Sequence, residues 1–537
     1  MTTTDPHTAG TAPQDAAEAP VPPLRPDRAE TDRLATRVAV GDGRERHQVV
    51  SPLTAEVLGE VPLGTAEDVT AAFARAREAQ RQWADRPVRE RAAVLLRYHD
   101  LVLDRQGELL DLIQAENGKA RVWAFEEIMD QAVTARYYAR LAPRALRPKR
   151  ALSALPGLVS TRVHHLPKGI VGVISPWNYP LVLSTSDAIA ALVAGNGIVI
   201  KPDSQTPFTA IRAFELLEEA GLPAGLVQIV TGPGRTVGTA IIEAADYMMF
   251  TGSTATGRSV ARQAGEQLIG VSAELGGKNA MIITGDVELA RAVEGAVVGS
   301  FANTGQLCIS IERIYVEDSI ADEFTEAFGA RTAALRLGAE QAYGPEVGPL
   351  ASQDQLDKVT AHVEDARAKG ARLVAGGKAR PDLGPLFFEP TVLAGVTPEM
   401  DVCRGETFGP VVAVYPVASD DEAVTRANDT DYGLNASVFC GDTDRGRAIA
   451  HRLLAGTVNV NDGYASAWAS VDAPMGGMKA SGLGRRHGRE GLLKYTEPQT
   501  IAVRSRLAER LTDPTGDPSG YAERFTKLLR VAKYLPR

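Results

Sequence analysis

Cysteine is scarce in this 537-residue chain: Cys308, Cys403 and Cys440 are three, odd in number and widely spaced. They form no CxxC pair, which excludes a disulfide-stapled scaffold and favours a reducing, cytoplasmic setting. The eight histidines show no HExxH or comparable ligand spacing, so no metal site is expected. His164 and His165, the only close pair, would alternate across a strand and read as packing. Long apolar runs are also missing. The longest, Ala188 to Ile200, is broken by Gly195, Asn196 and Gly197 and is too short for a bilayer, so no membrane partner is expected. No cationic start precedes an apolar stretch, so the first residues are not a secretory leader. Their Ala, Pro, Thr and acidic content predicts a disordered extension over residues 1–33. Basic charge is lacking too, and a formal net charge of -9 argues against a nucleic-acid partner.

What is present is an ordinary globular balance, 44% hydrophobic and 23% charged, in a chain long enough for two or more domains. Thr65 reads as the N-cap of a helix that turns Val69, Phe73, Ala76 and Trp83 to one side. Helices are expected again from Val88 to Leu103 and from about Trp123 to Tyr138. From residue 167 the pattern changes to short apolar strands at 170–174, 198–200, 227–230 and 248–250. Helices at 182–194, 207–220 and 235–244 separate them. That alternation predicts βαβ units and a parallel sheet, whose ligands bind beyond the carboxyl ends of its strands. Asn178, Lys201, Gly252 and Ser253 all fall just past strand ends. A second α/β region is expected over 280–475, with strands near 280–284, 312–316, 411–415 and 457–460. The basic amphipathic run from Arg524 to Lys533 reads as a packed or frayed terminal helix rather than a membrane-surface one.

Three segments carry chemistry: PWNYP from Pro176 to Pro180, AELGGKN from Ala273 to Asn279, and FANTGQLCIS from Phe301 to Ser310. Together they offer an amide, a carboxylate and a thiol. Acyl transfer through a thioester needs an oxyanion donor, a base for water and a nucleophile of those types. GSTATG from Gly252 to Gly257 follows a strand and opens a helix, where backbone N–H groups favour a phosphate. The stretch from Gly232 to Gly238 mimics a dinucleotide fingerprint only weakly, because of its proline and spacing.

With Lys201 and Glu406 added, these segments resemble, in order and across roughly residues 35 to 505, those of the aldehyde dehydrogenase superfamily. Glu274 and Cys308 stand 34 residues apart, the family's usual spacing. The resemblance implies an α/β fold with a Rossmann-type cofactor domain, an α/β catalytic domain and a small β extension for oligomerisation. On it, residues 34–150 and 167–279 form the dinucleotide-binding domain and 280–475 the catalytic domain. Residues 151–166 and 488–505 supply oligomerisation strands, and 506–537 a tail. The family's roles carry over to Cys308 as nucleophile, Glu274 as base and Asn178 as oxyanion donor. Trp177, Asn178, Lys201, Pro202, Asp203, Ser204, Gly252, Ser253, Leu275 and Glu406 become the cofactor residues. The segment from Gly476 to Gly482 becomes lining near the substrate entrance.

Ser204 stands where NAD-preferring relatives commonly carry Glu, so NADP is the expected cofactor and NAD the alternative. KPDSQT from Lys201, CISIER from Cys308 and APMGGM from Ala473 are most similar to the bacterial NADP-linked succinate-semialdehyde dehydrogenase branch. The implied reaction oxidises succinate semialdehyde to succinate through a thiohemiacetal and a thioester on the cysteine, in a homodimer or homotetramer. One departure concerns the substrate. Where members of that branch carry two arginines, this chain has Ser186 and Ala302, so the cation a carboxylate would want is missing. Tyr464 to Trp468, with Trp177 and Tyr179, suggests instead a pocket for aromatic or long-chain aldehydes. A Cys/Glu hydrolase of esterase type is the alternative of another class.

Overall fold

The computed structural model describes residues 25–153, 159–511 and 514–534. Apolar strands alternate with helices as their short branched runs require, and both sheets are buried on both faces. In chain order the first sheet contains β1 (Ile170–Ile174), β2 (Gly197–Lys201), β3 (Val227–Ile229), β4 (Tyr247–Thr251) and β5 (Gly270–Glu274). The second contains β6 (Asn279–Ile283), β7 (Ile311–Glu317), β8 (Arg372–Ala375), β9 (Thr391–Ala394), β10 (Val411–Val417), β11 (Asn435–Phe439) and β12 (Thr457–Val460). A late strand, β13 (Gly482–Leu483), returns to the first sheet antiparallel to β5.

The first sheet runs β13-β5-β4-β1-β2-β3, parallel apart from β13. Its order reverses at β1 and β4, so a crevice opens beyond their carboxyl ends. The second runs β8-β9-β10-β7-β6-β11-β12, with β8 alone antiparallel. Four residues, Leu275 to Lys278, join β5 to β6, so the carboxyl edge of one sheet abuts the amino edge of the other. On β6 and β7, Ile282 and Tyr315 enter one core while Met281, Ile283, Ile314 and Val316 enter the other, the period of two that a doubly covered sheet imposes.

The expected opening helices are Ala66–Asp85, Val88–Asp104 and Arg121–Ala145. Thr65 closes a capping box with Asp68, and Val69, Phe73, Ala76 and Trp83 are buried. These helices satisfy the free carbonyls at the end of the helix Pro180–Ala194. Trp83 donates to Leu192 O at 2.7 Å, Gln80 to Gly195 O at 2.9 Å and Arg91 to Val193 O at 3.0 Å.

Several expectations are corrected. Residues 1–24 of the expected disordered extension lie outside the described residues, but Arg28–Ala35 is a helix capped by Asp27. Long-range contacts that composition does not reveal hold it: Leu34 is buried, Thr31 donates to Leu58 O at 2.7 Å, and Arg33 pairs with Glu215 at 2.8 Å. The helix expected over 235–244 begins as a wide turn, Gly234–Gly238, before Thr239–Ala244. Strands β5, β8, β9, β11 and β13 were not expected from the sequence. The strand of the β extension begins at Thr496, pairing Thr496–Arg504 with Val159–Pro167, whereas Gly488–Leu493 is helical. The terminal basic run lies in an exposed helix, Pro518–Ala532. Among the described residues no helix is long and apolar enough to cross a membrane, and no group of His, Cys, Asp and Glu could hold a metal ion.

Candidate active site

The abutting sheet edges enclose a cavity of about 210 Å³. Trp177, Asn178, Gly252, Ser253, Glu274, Leu275, Cys308 and Glu406 all line it. They arrive from different elements: Trp177 and Asn178 beyond β1, Gly252 and Ser253 beyond β4, and Glu274 at the end of β5. Cys308 lies in the loop before β7, its carbonyl accepting from Asn279 Nδ2 at 2.8 Å. Lys201 ends the neighbouring β2, Pro202, Asp203 and Ser204 follow it, and none of the four lines this cavity.

Asn178 does not cap the following helix; Tyr179 holds that position. Its amide instead donates to Gln306 O at 3.0 Å, which leaves the second amide hydrogen available. Its backbone is pinned from below. Lys119 Nζ, fully buried, donates to Asn178 O at 2.7 Å and pairs with Glu127 at 2.7 Å. Glu127 also accepts from Leu181 N and Val182 N at 2.8 and 3.1 Å, capping the helix that Asn178 precedes. Asn117 adds a bond to Trp177 O at 3.0 Å.

The loop before Cys308 is bent by Asn303 and Thr304, both left-handed, at φ 49° and 58°. Gly305 must be glycine: φ is 70°, and a Cβ would lie 2.1 Å from Gly409 O. Burial pushes the Cys308 thiol up to about 12, with the charges of Glu274 and Glu406 adding to it and Arg486 opposing them. Burial likewise raises Glu274 to about 7, again against Arg486.

A dinucleotide fits the far side of the cavity. Ser253 caps the helix Thr254–Glu266, whose first turn carries no acidic residue to repel a phosphate. Trp177 and Phe408 present rings edge to face, 5.6 Å between centroids. Glu406 accepts from Gly277 N at 2.7 Å, and only a glycine at 276 admits it, since a Cβ there would lie 2.5 Å from its carboxylate. Beside Ser204, Gln205 Oε1 and Thr206 Oγ1 are buried without a protein partner, a polar setting with ligand-binding capacity left over. Lys201 Nζ donates to Pro202 O at 3.2 Å.

The sequence grouping of aromatics is corrected. Tyr179 and Tyr464 both contact Trp468, at 5.9 and 6.2 Å, and share the Cys308 cluster with Trp123, whereas Trp177 faces Phe408 on the other wall. The segment from Gly476 to Gly482 packs behind the site. It backs Glu274: Gly482 pairs with it, and Leu275 N donates to Ser481 O at 3.0 Å. Sequence reasoning missed Lys119, Glu126, Glu127, Phe408 and Arg486, because single charged or aromatic residues carry no local signature of a distant partner.

A family model described as the aldehyde dehydrogenase family matches residues 39–501. The chain belongs to the aldehyde dehydrogenase family. Among its relatives, a putative NADP-linked succinate-semialdehyde dehydrogenase of Mycolicibacterium smegmatis is 56% identical over 95% of this chain and 99% of that one. An NADP-dependent enzyme of E. coli superposes with a TM-score of 0.83 at 34% identity, covering 88% of this chain and 99% of that one. An aldehyde dehydrogenase of Bacillus cereus, solved with NAD+, gives 0.82 at 36% identity over 86% and 94%. This aldehyde dehydrogenase is thus an NAD(P)-dependent oxidoreductase of α/β fold, and the hydrolase alternative gives way as its main activity.

Replacing Lys119 by Met removes one half of a buried pair. We expect the dehydrogenase to lose about 3–5 kcal/mol of stability, read by chemical denaturation; an unchanged midpoint would remove the pair from its supporting place.

Proposed function

We propose that this aldehyde dehydrogenase oxidises succinate semialdehyde to succinate with NADP. The observation that carries the reading is the convergence of Cys308, Glu274 and Asn178 on one cavity, in a chain 56% identical to a relative bearing that name. Ser204 supports NADP, since it puts no carboxylate where a 2′-phosphate would lie.

In this reading Cys308 Sγ, once deprotonated, bonds to the aldehyde carbon. Asn178 Nδ2–H and the Cys308 N–H donate to the oxygen as it becomes negative, a stabilisation worth roughly 100- to 1,000-fold in rate per donor. When bound, the oxidised nicotinamide would supply the hydride acceptor; Trp177, Leu275, Gly252, Ser253 and Glu406 would hold the dinucleotide, and Lys201, Pro202, Asp203 and Ser204 would take its adenosine end. Loss of hydride leaves a thioester on Cys308. Glu274 then takes a proton from water, the water oxygen bonds to the acyl carbon, and the carbon–sulfur bond breaks. Cys308 departs as thiolate and the acid leaves.

A second reading, an aromatic or long-chain aldehyde as substrate, is favoured by the wall beside Cys308. Ala302 is buried in that wall, and Ser186 binds Asp130 at 2.6 Å and Gln131 at 2.7 Å, so neither position offers a cation. The half-buried acid Glu126 accepts from Tyr464 and Tyr179 at 2.8 and 3.3 Å, and desolvation raises it to about 7. Assembly as a homodimer or homotetramer belongs to the proposal. It is supported by the outer edge of Thr496–Arg504, with Ile501 and Val503 exposed. A cytoplasmic setting is supported by the three free thiols.

Kinetics with NADP and NAD across succinate semialdehyde, benzaldehyde and decanal test the substrate. The semialdehyde with NADP should show the highest kcat/KM; higher values for the other two would hand the site to the second reading. Ser204→Glu should move the NADP-to-NAD ratio of kcat/KM towards NAD by roughly tenfold, about 1.4 kcal/mol; an unmoved ratio refutes the charge argument. In the wild type the hydrolytic step should rise with pH through about 7 as Glu274 ionises. Glu274→Gln should retain a first turnover of NADPH but slow the later ones about 100-fold or more, with an acyl adduct visible on Cys308 by mass spectrometry. Absence of that adduct would take the base role from Glu274.

A further inference from the structure

Two buried polar atoms face one another beside the cavity without partners. Glu274 Oε1 accepts no hydrogen bond and Arg486 Nε donates none, and they stand 4.0 Å apart. Both side chains are all but buried, so water does not freely serve either atom. One other guanidinium nitrogen is engaged: Nη2 pairs with Asp187 at 3.0 Å and reaches Thr251 Oγ1 at 3.3 Å. Asp187 is held in turn by Lys494 at 3.0 Å and Tyr495 Oη at 3.2 Å.

The backbone shows the same placement. Arg486 exchanges two backbone bonds with Met475, at 2.7 and 2.8 Å. The next residue, His487, takes a left-handed φ of 59° that non-glycine residues rarely adopt. The chain turns sharply just after the arginine, which leaves its side chain pointing back between Asp187 and Glu274. On the other side, β13 pairs with the Glu274 strand and fixes its backbone.

We propose that Arg486 is the positioning residue of Glu274: Asp187 anchors the guanidinium, and a movement of about an ångström seats Nε on Oε1, holding the base ionised with its other oxygen free for water. The proposal rests on the reading of Glu274 as base for the hydrolytic step. The charged groups around that carboxylate are Arg486, Lys494, Arg485 and Asp187, with the Cys308 thiol nearby. Of these cations Arg486 acts most strongly on Glu274, and Asp187 acts against it. The two neighbours should therefore shift the base in opposite directions.

Two variants test this in the full-length enzyme with NADP and succinate semialdehyde, or benzaldehyde if that is the better substrate. The first-turnover burst of NADPH reads acylation, and the steady rate after it reads hydrolysis. Arg486→Met keeps the stem and removes the charge, while Asp187 retains Lys494 and Tyr495. Its hydrolytic pH midpoint should rise by about one to two units, within the range for losing an opposite charge. At pH 7 the steady rate should fall roughly 5- to 50-fold as the ionised fraction drops, with the burst retained. Arg486→Lys should recover part of that loss. Asp187→Asn removes the opposing carboxylate and should lower the midpoint. A merely structural arginine would reduce burst and steady rate together and leave the midpoint in place. An unmoved midpoint in Arg486→Met, or in Asp187→Asn where Arg486→Met fails to fold, overturns the proposal. If Glu274→Gln turns over normally, it is the base reading itself that falls.

Discussion

Everything around Cys308 follows from the meeting of two sheet edges. Where the carboxyl ends of β1, β4 and β5 face the amino ends of β6 and β7, polar loop backbone is taken out of water. Each buried donor and acceptor there must find a partner inside the protein. Two buried ion pairs meet most of that demand. Lys119 with Glu127 serves the Trp177–Val182 side through Asn178 O, Leu181 N and Val182 N. Lys278 with Glu312 serves the other, since Glu312 also accepts from Thr407 N and Phe408 N beside Glu406. A buried pair of this kind is weak evidence for net stability, because desolvation offsets its attraction. Its contribution here is directional, fixing loops that carry reacting groups.

The same burial makes the chemistry difficult at rest. Burial pushes the Cys308 thiol up to about 12 and Glu274 up to about 7, disfavouring the thiolate and the carboxylate. Cations therefore matter more than their number suggests. Arg486 is the group that opposes burial at both Cys308 and Glu274, and it remains a cation because Asp187, Glu274 and Cys308 favour its charged form despite its burial. His487 next to it goes the other way, held near 4 first by burial and then by the arginine's charge. Neighbouring residues on one strained turn thus meet opposite fates.

Much of the fold was legible because its signals are local. The capping box at Thr65, the apolar runs of β1, β2, β4 and β7, and the helices Pro180–Ala194 and Pro207–Glu219 appear close to their expected bounds. Strand β11 escaped because Asn435 and Ser437 interrupt its apolar character. Both are nevertheless buried, Asn435 Nδ2 donating to Ile309 O and Gly463 O at 3.0 and 3.1 Å and Ser437 to Asp462 O. Composition near the N-terminus gave no hint of the helix Arg28–Ala35, since Glu215 and Leu58, which hold it, are remote in sequence.

The sequence by itself determined the family and the reacting residue types, since thiol, carboxylate and amide stand in segments whose order and spacing are one-dimensional properties. It also determined that positions 186 and 302 carry no arginine. Tertiary structure alone decided which groups share a wall. It parted Trp177 from Tyr179, though they are two residues apart, because the backbone turns into the helix between them. It also brought Arg486 to within 4.0 Å of Glu274, some two hundred residues away along the chain. Electrostatic and packing interactions act through space, and no local pattern encodes the distance between residues that only the folded sheets bring together.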